Sequence, residues 1–101
     1  MYKNFILSYD PISTKFTLNQ LNAFIRSNGG THQYYAPFLG TVMIKSASTL
    51  SQLIESYRGF FDGDQFFLAE FPSQNTGGLL PRYAWDWVNS TTPPPLVDQS
   101  N

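Results

Sequence analysis

The chain contains no cysteine, which rules out a disulfide, a thiolate nucleophile and a thiolate metal site. It is also poor in charge, since 13% of its 101 residues are charged, about half the usual share, and the formal net charge is −1. The six Lys and Arg residues stand singly along the sequence, whereas a protein that neutralises many phosphates needs clustered cations. We therefore expect little sequence-independent binding to nucleic acid.

Long apolar runs are missing as well. No run approaches the roughly 20 apolar residues of a membrane helix. Near the N-terminus, Lys3 and Asn4 are followed by only three apolar residues before Ser8, which is not the pattern of a signal peptide. We expect a soluble, cytoplasmic protein that does not associate with membranes.

What the chain does contain is enough apolar material for one core. Hydrophobic residues make up 42% of the sequence, and nine Phe, six Tyr and two Trp can fill a single domain of this length. The last segment, NSTTPPPLVDQSN, is polar, contains three consecutive prolines and has little to bury. We predict a folded domain over residues 1–89 and a disordered Pro-rich tail over residues 90–101.

Two short stretches are nearly identical, TLNQL at residues 17–21 and TLSQL at residues 49–53. In both, Thr is followed three positions later by Gln, which is the spacing of a capping box at a helix start. Apolar residues then recur at helical spacing, so each stretch is predicted to begin a helix. Gly29-Gly30 is predicted to end the first helix, and Gly59 with Asp62-Gly63 the second. Duplication and shared helix-start chemistry both remain open as the origin of the match.

Four segments are typical of strands, at residues 4–9, 31–36, 41–45 and 65–71. The order strand, helix, strand, strand, helix, strand predicts an α+β domain of the ferredoxin-like, split βαβ type, with both helices on one face of an antiparallel sheet. After Pro81, apolar residues at i, i+4 spacing predict a short C-terminal helix.

Few residues suggest catalysis. His32 is the only histidine and no nucleophile-elbow sequence accompanies it, so we expect a structural role. Asp62 and Asp64 flank Gly63 as turn acids, because this spacing alone does not converge enough oxygens for a hard metal. Asp10 follows the first strand directly and admits two interpretations, a cap on the Asp-Pro turn or a functional acid at the mouth of a loop.

Aromatic side chains on the strands raise a separate choice between packing and base stacking. The strand QFFLAEF has no basic residue and contains Glu70, unlike the basic aromatic consensus of RNA-recognition modules. Core or interface packing is therefore the favoured interpretation.

Taken together, the strand end SYDP, the hairpin YYAPFLGTVMIKS, the helix STLSQLIESY, the strand DGDQFFLAEF and the closing LPRYAWDWVN resemble the SinR-like small proteins. Those proteins are similar to the CRISPR-associated adaptation proteins of the second core type and, more distantly, to VapD-type ribonucleases. The resemblance covers roughly residues 4–89. It implies a ferredoxin-like homodimer in which the strand after the second helix and the C-terminal segment contact the partner subunit. The corresponding candidate interface residues are Phe71, Tyr83, Trp85 and Trp87.

The resemblance also implies a role for Asp10, which matches an aspartate associated with a divalent metal between subunits of the adaptation proteins. Two Asp10 carboxylates could hold Mg²⁺ beside a phosphate oxygen. The sequence departs from that family in its acidic balance and in the single cation, Arg26, of its first helix. We favour a small dimeric, noncatalytic interaction module without a cofactor. The alternative is a Mg²⁺-dependent nuclease with Asp10 as its catalytic and metal-binding residue.

Overall fold

The computed structural model describes residues 2–12, 15–72 and 76–90. The predicted tail from residue 91 onward lies outside the described residues. The elements follow in the order β1 (Lys3–Tyr9), α1 (Leu18–Ser27), β2 (Thr31–Phe38), β3 (Thr41–Ser46), α2 (Leu50–Phe61), β4 (Phe66–Phe71) and α3 (Arg82–Asn89).

In the described part of the chain, the strands form one four-stranded sheet in the order β2-β3-β1-β4. All neighbouring strands are antiparallel, and Phe5 in β1 lies opposite Ile44 in β3 and Glu70 in β4. The prediction of an α+β fold with an antiparallel sheet is confirmed, and the arrangement is compatible with a ferredoxin-like fold. β2 continues through Pro37, further than predicted, because an edge strand with a shifted register tolerates a residue without an N–H.

Both helix starts are capping boxes, as the two TLxQL stretches predict. The Thr17 hydroxyl accepts from the backbone N–H of Gln20 at 3.1 Å, and the Gln20 side chain accepts from the N–H of Thr17 at 2.8 Å. Thr49 and Gln52 repeat the pair at 3.2 and 2.8 Å. Each box satisfies two backbone donors that the first helical turn leaves unpaired.

The helix ends differ from the prediction. Gly59 lies inside α2, because Tyr57 and Phe61 on either side of it are buried in the core and outweigh the roughly 1 kcal/mol cost of a helical glycine. The left-handed residue that ends α2 is Asp62, with φ 46°. At α1, Asn28 is extended and Gly30 takes the positive φ two residues later.

The face of the sheet that α1 and α2 cover holds the main core. Strand alternation directs every second side chain toward these helices, and burying each large apolar side chain contributes roughly 1.5–3 kcal/mol. The buried members come from all four strands and both helices: Phe5, Leu7, Leu21, Ile25, Tyr34, Val42, Ile44, Leu53, Tyr57, Phe61 and Leu68.

The opposite face of the sheet is covered by α3. The predicted C-terminal helix therefore exists, and it begins one residue after Pro81, which occupies the N-cap position. Its apolar stripe forms a second core cluster with the other set of strand side chains, composed of Tyr35, Met43, Ala84, Trp87 and Val88. None of the helices in the described ranges is long and apolar enough to cross a membrane.

Replacing Tyr57 by Phe is expected to raise the free energy of unfolding by about 1 kcal/mol. The Tyr57 ring is fully buried in the main core, and its hydroxyl has no hydrogen-bond partner there, so folding strips that group of water without compensation. Urea unfolding of the wild-type protein and of Tyr57→Phe measures the change. The comparison is Tyr83→Phe, which removes a hydroxyl that accepts a hydrogen bond from Tyr35 at 3.3 Å and is therefore expected to lower the free energy of unfolding by up to about 1 kcal/mol. A lower free energy of unfolding for Tyr57→Phe than for the wild-type protein would contradict the conclusion that the buried hydroxyl has no hydrogen-bond partner.

Candidate functional site

Asp10 lies immediately after β1 and is exposed. Its carboxylate accepts a hydrogen bond from the backbone N–H of Ile12 at 2.9 Å, the interaction expected of an Asp-Pro turn. In the single chain, Asp10 thus stabilises the start of the loop toward α1. Its role as a metal ligand requires the Asp10 of a second subunit, so that role stays a prediction.

Asp62 and Asp64 join the turn after α2 to the segment before α1, Asp64 through its carboxylate and Asp62 through its backbone carbonyl. The backbone N–H of Lys15 donates to Asp64 Oδ2 at 3.0 Å, and Lys15 Nζ donates to the carbonyl of Asp62 at 2.7 Å. These contacts join the approach to α1 to the turn after α2, which is the structural role expected of turn acids. Within residues 2–12, 15–72 and 76–90, no three His, Asp or Glu side chains come together in a way that would hold a metal ion.

His32 packs against the start of the chain. Its ring stacks on Tyr2 with centroids 4.4 Å apart and an interplanar angle of 15°. A histidine that lies on a strand and stacks on a tyrosine ring fits the structural role predicted from the sequence.

A concave apolar groove lies on the α3 side of the sheet. We call it the apolar groove. Its volume is about 400 Å³, and its wall contains no charged side chain. The wall is built from four strands, α3 and the segment preceding it: Ile6, Pro37, Phe38, Thr41, Met43, Phe71, Thr76, Gly77, Gly78, Leu79, Leu80, Trp85 and Val88. Such walls favour apolar occupants, since a charged group would be desolvated without a partner.

Large apolar side chains protrude at the rim of the apolar groove. Leu79 is 95% exposed, Phe38 61% and Leu39, next to Phe38 in the β2–β3 turn, 68%. A single exposed apolar residue is ordinary, but several around one apolar concavity mark an interaction surface.

The four predicted interface residues occupy different environments. Phe71 and Trp85 are partly buried and line the apolar groove. Tyr83 is exposed, with its hydroxyl 3.3 Å from that of Tyr35. Trp87 is 2% exposed, so its ring is used within the chain to hold α3 on the sheet.

A lysine amine is buried beneath α3, which the sequence pattern did not predict. Lys45 in β3 is 2% exposed, and its Nζ donates to Asn4 Oδ1 at 2.6 Å and to the carbonyl of Val88 at 3.2 Å. Nζ also lies 4.6 Å from the centroid of the Trp87 ring. The Val88 carbonyl belongs to the last turn of α3, where carbonyls lack helical partners, and Asn4 Nδ2 donates to it as well at 3.1 Å. Lys45 and Asn4 together therefore cap the end of α3.

Among the described residues, the Lys45 amine donates its hydrogen bonds to an amide oxygen and a backbone carbonyl rather than to a carboxylate. Burial removes water from the ammonium group and lowers the pKa of Lys45 from 10.5 to about 8. A sequence signal was present, because in TVMIK the alternation places Lys45 on the same face as Met43 and Thr41. Only the docking of α3 on that face converts this position from solvated to buried.

Beside Lys45 is a second, more polar concavity, which we call the lysine cavity. Its volume is about 210 Å³. It is lined by Tyr2, Lys3, Asn4, Lys45, Glu70, Phe71, Pro72, Val88, Asn89 and Ser90. Phe71 and Val88 also belong to the wall of the apolar groove, so the two concavities share these side chains.

Comparison with protein-family models, with curated proteins and with solved structures gives no match to this chain. The assignment of function therefore depends on the apolar groove, the loop at Asp10 and the Lys45 site themselves.

In the wild-type protein, the free energy of unfolding is expected to increase with pH because of Lys45. Replacing Lys45 by Met is expected to abolish this increase. In the wild-type protein the unfolded chain keeps the Lys45 proton up to about pH 10.5, whereas the folded chain releases it near pH 8. The unfolded state thus binds more protons between these values, and the free energy of unfolding increases with pH. The increase attributable to Lys45 is about 2 kcal/mol between pH 7 and pH 9.5. Urea unfolding of both proteins across this range measures it.

At higher pH, three tyrosines have the opposite effect on the free energy of unfolding, which they lower as the pH increases. Burial raises the pKa of Tyr9, of Tyr57 and of Tyr35, the last to about 12. The folded chain keeps these protons while the unfolded chain loses them above about pH 10, so stability falls there in both proteins. Subtracting the free energy of unfolding of Lys45→Met from that of the wild-type protein at each pH removes the contribution of the tyrosines. Parallel curves for wild type and Lys45→Met would refute the lowered pKa.

Proposed function

We propose that the protein is a small, noncatalytic interaction module that pairs with a second copy of itself through the apolar groove. The observation that carries the proposal is the combination of an uncharged concave wall with protruding apolar side chains on one side of the molecule. The cores of protein interfaces are depleted in charge and rich in aromatic residues, as this surface is.

A second copy is the occupant that this surface favours. A twofold interface uses the same patch on both subunits, so the patch must contain raised and concave parts that fit each other. Phe38, Leu39 and Leu79 supply the raised parts, and the apolar groove supplies the concave one. The formal net charge of −1 brings little repulsion between two copies. Nucleic acid would find no cation in the groove wall.

The proposal includes the finer fold assignment, a ferredoxin-like domain of the split βαβ type. The sheet order supports it, because β3 lies between β1 and β2, and β1 lies between β3 and β4. Each strand pair joined by α1 or α2 is therefore parallel across an antiparallel neighbour. The relationship to SinR-like proteins and to the adaptation proteins of CRISPR systems belongs to the same proposal, and rests on the strand ends and aromatics quoted above.

Leu79→Glu is expected to weaken self-association at least tenfold, because pairing would desolvate the new carboxylate against an uncharged wall. The side chain is nearly fully exposed, so the monomer fold should be unaffected. Sedimentation equilibrium of wild type and variant over a range of concentrations measures the dissociation constant.

The matched control is Ile12→Glu, a comparable change at a residue that is 91% exposed but does not line the apolar groove. It should leave the dissociation constant unchanged. A wild-type protein that stays monomeric at high concentration, or an equal effect of both substitutions, would overturn the proposal.

The Mg²⁺-dependent nuclease is distinguished by Asp10→Asn. The amide retains an oxygen that can accept the N–H of Ile12, so the turn should persist while the negative charge is lost. We expect neither protein to cleave single- or double-stranded DNA or RNA in the presence of Mg²⁺. Cleavage by the wild type that Asp10→Asn abolishes, with the oligomeric state unchanged, would replace the interaction module by the nuclease.

A further inference from the structure

The chain passes out of α3 beside the apolar groove. Ser90 follows the final turn of this helix and donates its backbone N–H to the carbonyl of Asp86 at 3.1 Å. Ser90 lies in the wall of the lysine cavity together with Phe71 and Val88, and these two side chains also belong to the wall of the apolar groove. Residues 91–101, which lie outside the described residues, therefore start next to one end of that groove.

The segment that follows Ser90 is uncharged and rich in proline. Residues 91–97 read TTPPPLV, and the first charged side chain after α3 is Asp98. Consecutive prolines favour the polyproline II helix, an extended conformation that is largely formed before binding and so loses little conformational entropy. Ser90 has φ −89° and ψ 137°, close to the values of that conformation. The backbone therefore leaves α3 in an extended form.

The apolar groove has the kind of wall that proline-rich segments bind. Grooves that recognise such segments are lined by aromatic side chains, and this wall contains Phe38, Phe71 and Trp85. The wall carries no charged side chain, which matches the uncharged stretch at residues 91–97. Since a charged occupant would lose its hydration here without gaining a partner, the groove favours a segment of this composition.

The length of the groove matches the length of the proline-rich stretch. One end of the groove is at Val88, whose carbonyl accepts from Lys45, and the wall extends to Thr41 on the same strand as Lys45. Thr41 and Lys45 are about 13 Å apart at roughly 3.3 Å per residue. Residues 93–97 span about 12 Å in a polyproline II helix at roughly 3.1 Å per residue. Residues 91–92 remain to reverse the chain after α3.

We propose that the apolar groove is a binding site for a proline-rich segment and that its occupant is residues 93–97 of the same chain. The prolines pack against the aromatic wall, and Leu96 and Val97 reach the end of the groove at Phe38 and Thr41. Because the segment is tethered beside the groove, its effective concentration there is on the order of millimolar, so modest contacts hold it reversibly.

Docking of residues 93–97 covers the wall that a second copy of the chain would use. A second copy must displace this segment before it can pair, so the docked segment weakens self-association. This consequence rests on the proposed function, whereas the docking itself does not. The proline-rich segment thereby regulates access to the apolar groove.

A spin label after the proline-rich stretch tests the docking in the full chain. The sequence contains no cysteine, so Gln99→Cys takes a single nitroxide. NMR of dilute protein compares backbone amide signals before and after reduction of the nitroxide. We expect paramagnetic broadening at Leu39 and Thr41 to exceed that at Asn4, which lies beside the end of α3, at least threefold. A free segment has a root-mean-square reach of roughly 17 Å centred on Ser90 and would broaden Asn4 most.

Two pairs of substitutions in the labelled chain provide the matched control. Leu96→Asp with Val97→Asp brings two charges to the uncharged wall, so the strongest broadening should move to Asn4. Ser100→Asp with Asn101→Asp adds the same charge beyond the docking segment and should leave the pattern unchanged. Strongest broadening at Asn4 without these substitutions, or an equal effect of both pairs, would overturn the docking.

Mixing two preparations separates docking in the same chain from docking on a second copy. Isotope-labelled chain without the nitroxide is combined with unlabelled chain that carries it. We expect no broadening at Thr41 in this mixture, and broadening there equal to that in the doubly labelled chain would show that the segment occupies another copy, against the proposal.

Sedimentation equilibrium measures the effect on pairing. Leu96→Asp with Val97→Asp is expected to strengthen self-association at least threefold relative to Ser100→Asp with Asn101→Asp, because the groove is then uncovered. Equal dissociation constants would overturn the competition between the segment and a second copy. If both variants stay monomeric while the broadening pattern of the labelled chain persists, the proposed pairing fails and the docking stands.

Discussion

The packing of α3 against the second face of the sheet is the contact on which both concavities depend. Without it, the side chains of β1 and β3 that alternate away from the main core would face water. With it, Trp87, Val88 and Ala84 bury Met43 and Tyr35, and the same helix supplies walls of the apolar groove and of the lysine cavity. Of the two central strands, β3 is therefore buried on both faces, whereas the α3-facing side chains of β1 are only partly covered, although an antiparallel sheet often leaves one whole face solvated.

The end of α3 is held by polar groups that are themselves costly to bury. Lys45 and Asn4 both donate to the Val88 carbonyl, which the helix leaves unpaired. A methionine at position 45 would fill similar space without desolvating an amine, but it could not donate the hydrogen bonds that Lys45 gives to Asn4 Oδ1 and to the Val88 carbonyl.

The apolar groove and the lysine cavity are two different concavities beside α3. The apolar groove excludes charge and offers area, which suits a protein surface, whereas the lysine cavity is small and polar and suits a ligand of a few atoms. Because Phe71 and Val88 lie between the two, movement of either side chain alters both concavities.

The sequence by itself determined the local elements. The capping boxes at Thr17 and Thr49, the helical spacing behind them and the alternating strands act over a few residues, so their outcome is readable without tertiary contacts. The ends of the helices were harder to predict from the sequence. Gly59 does not end α2, because Tyr57 and Phe61 are buried against the sheet and keep the helix continuous. The Asp10 turn was predictable for the same local reason as the caps. Only the tertiary structure decided which face α3 covers, that Lys45 is buried beside its last carbonyl, and that the rim side chains surround one groove, since these depend on segments more than 40 residues apart.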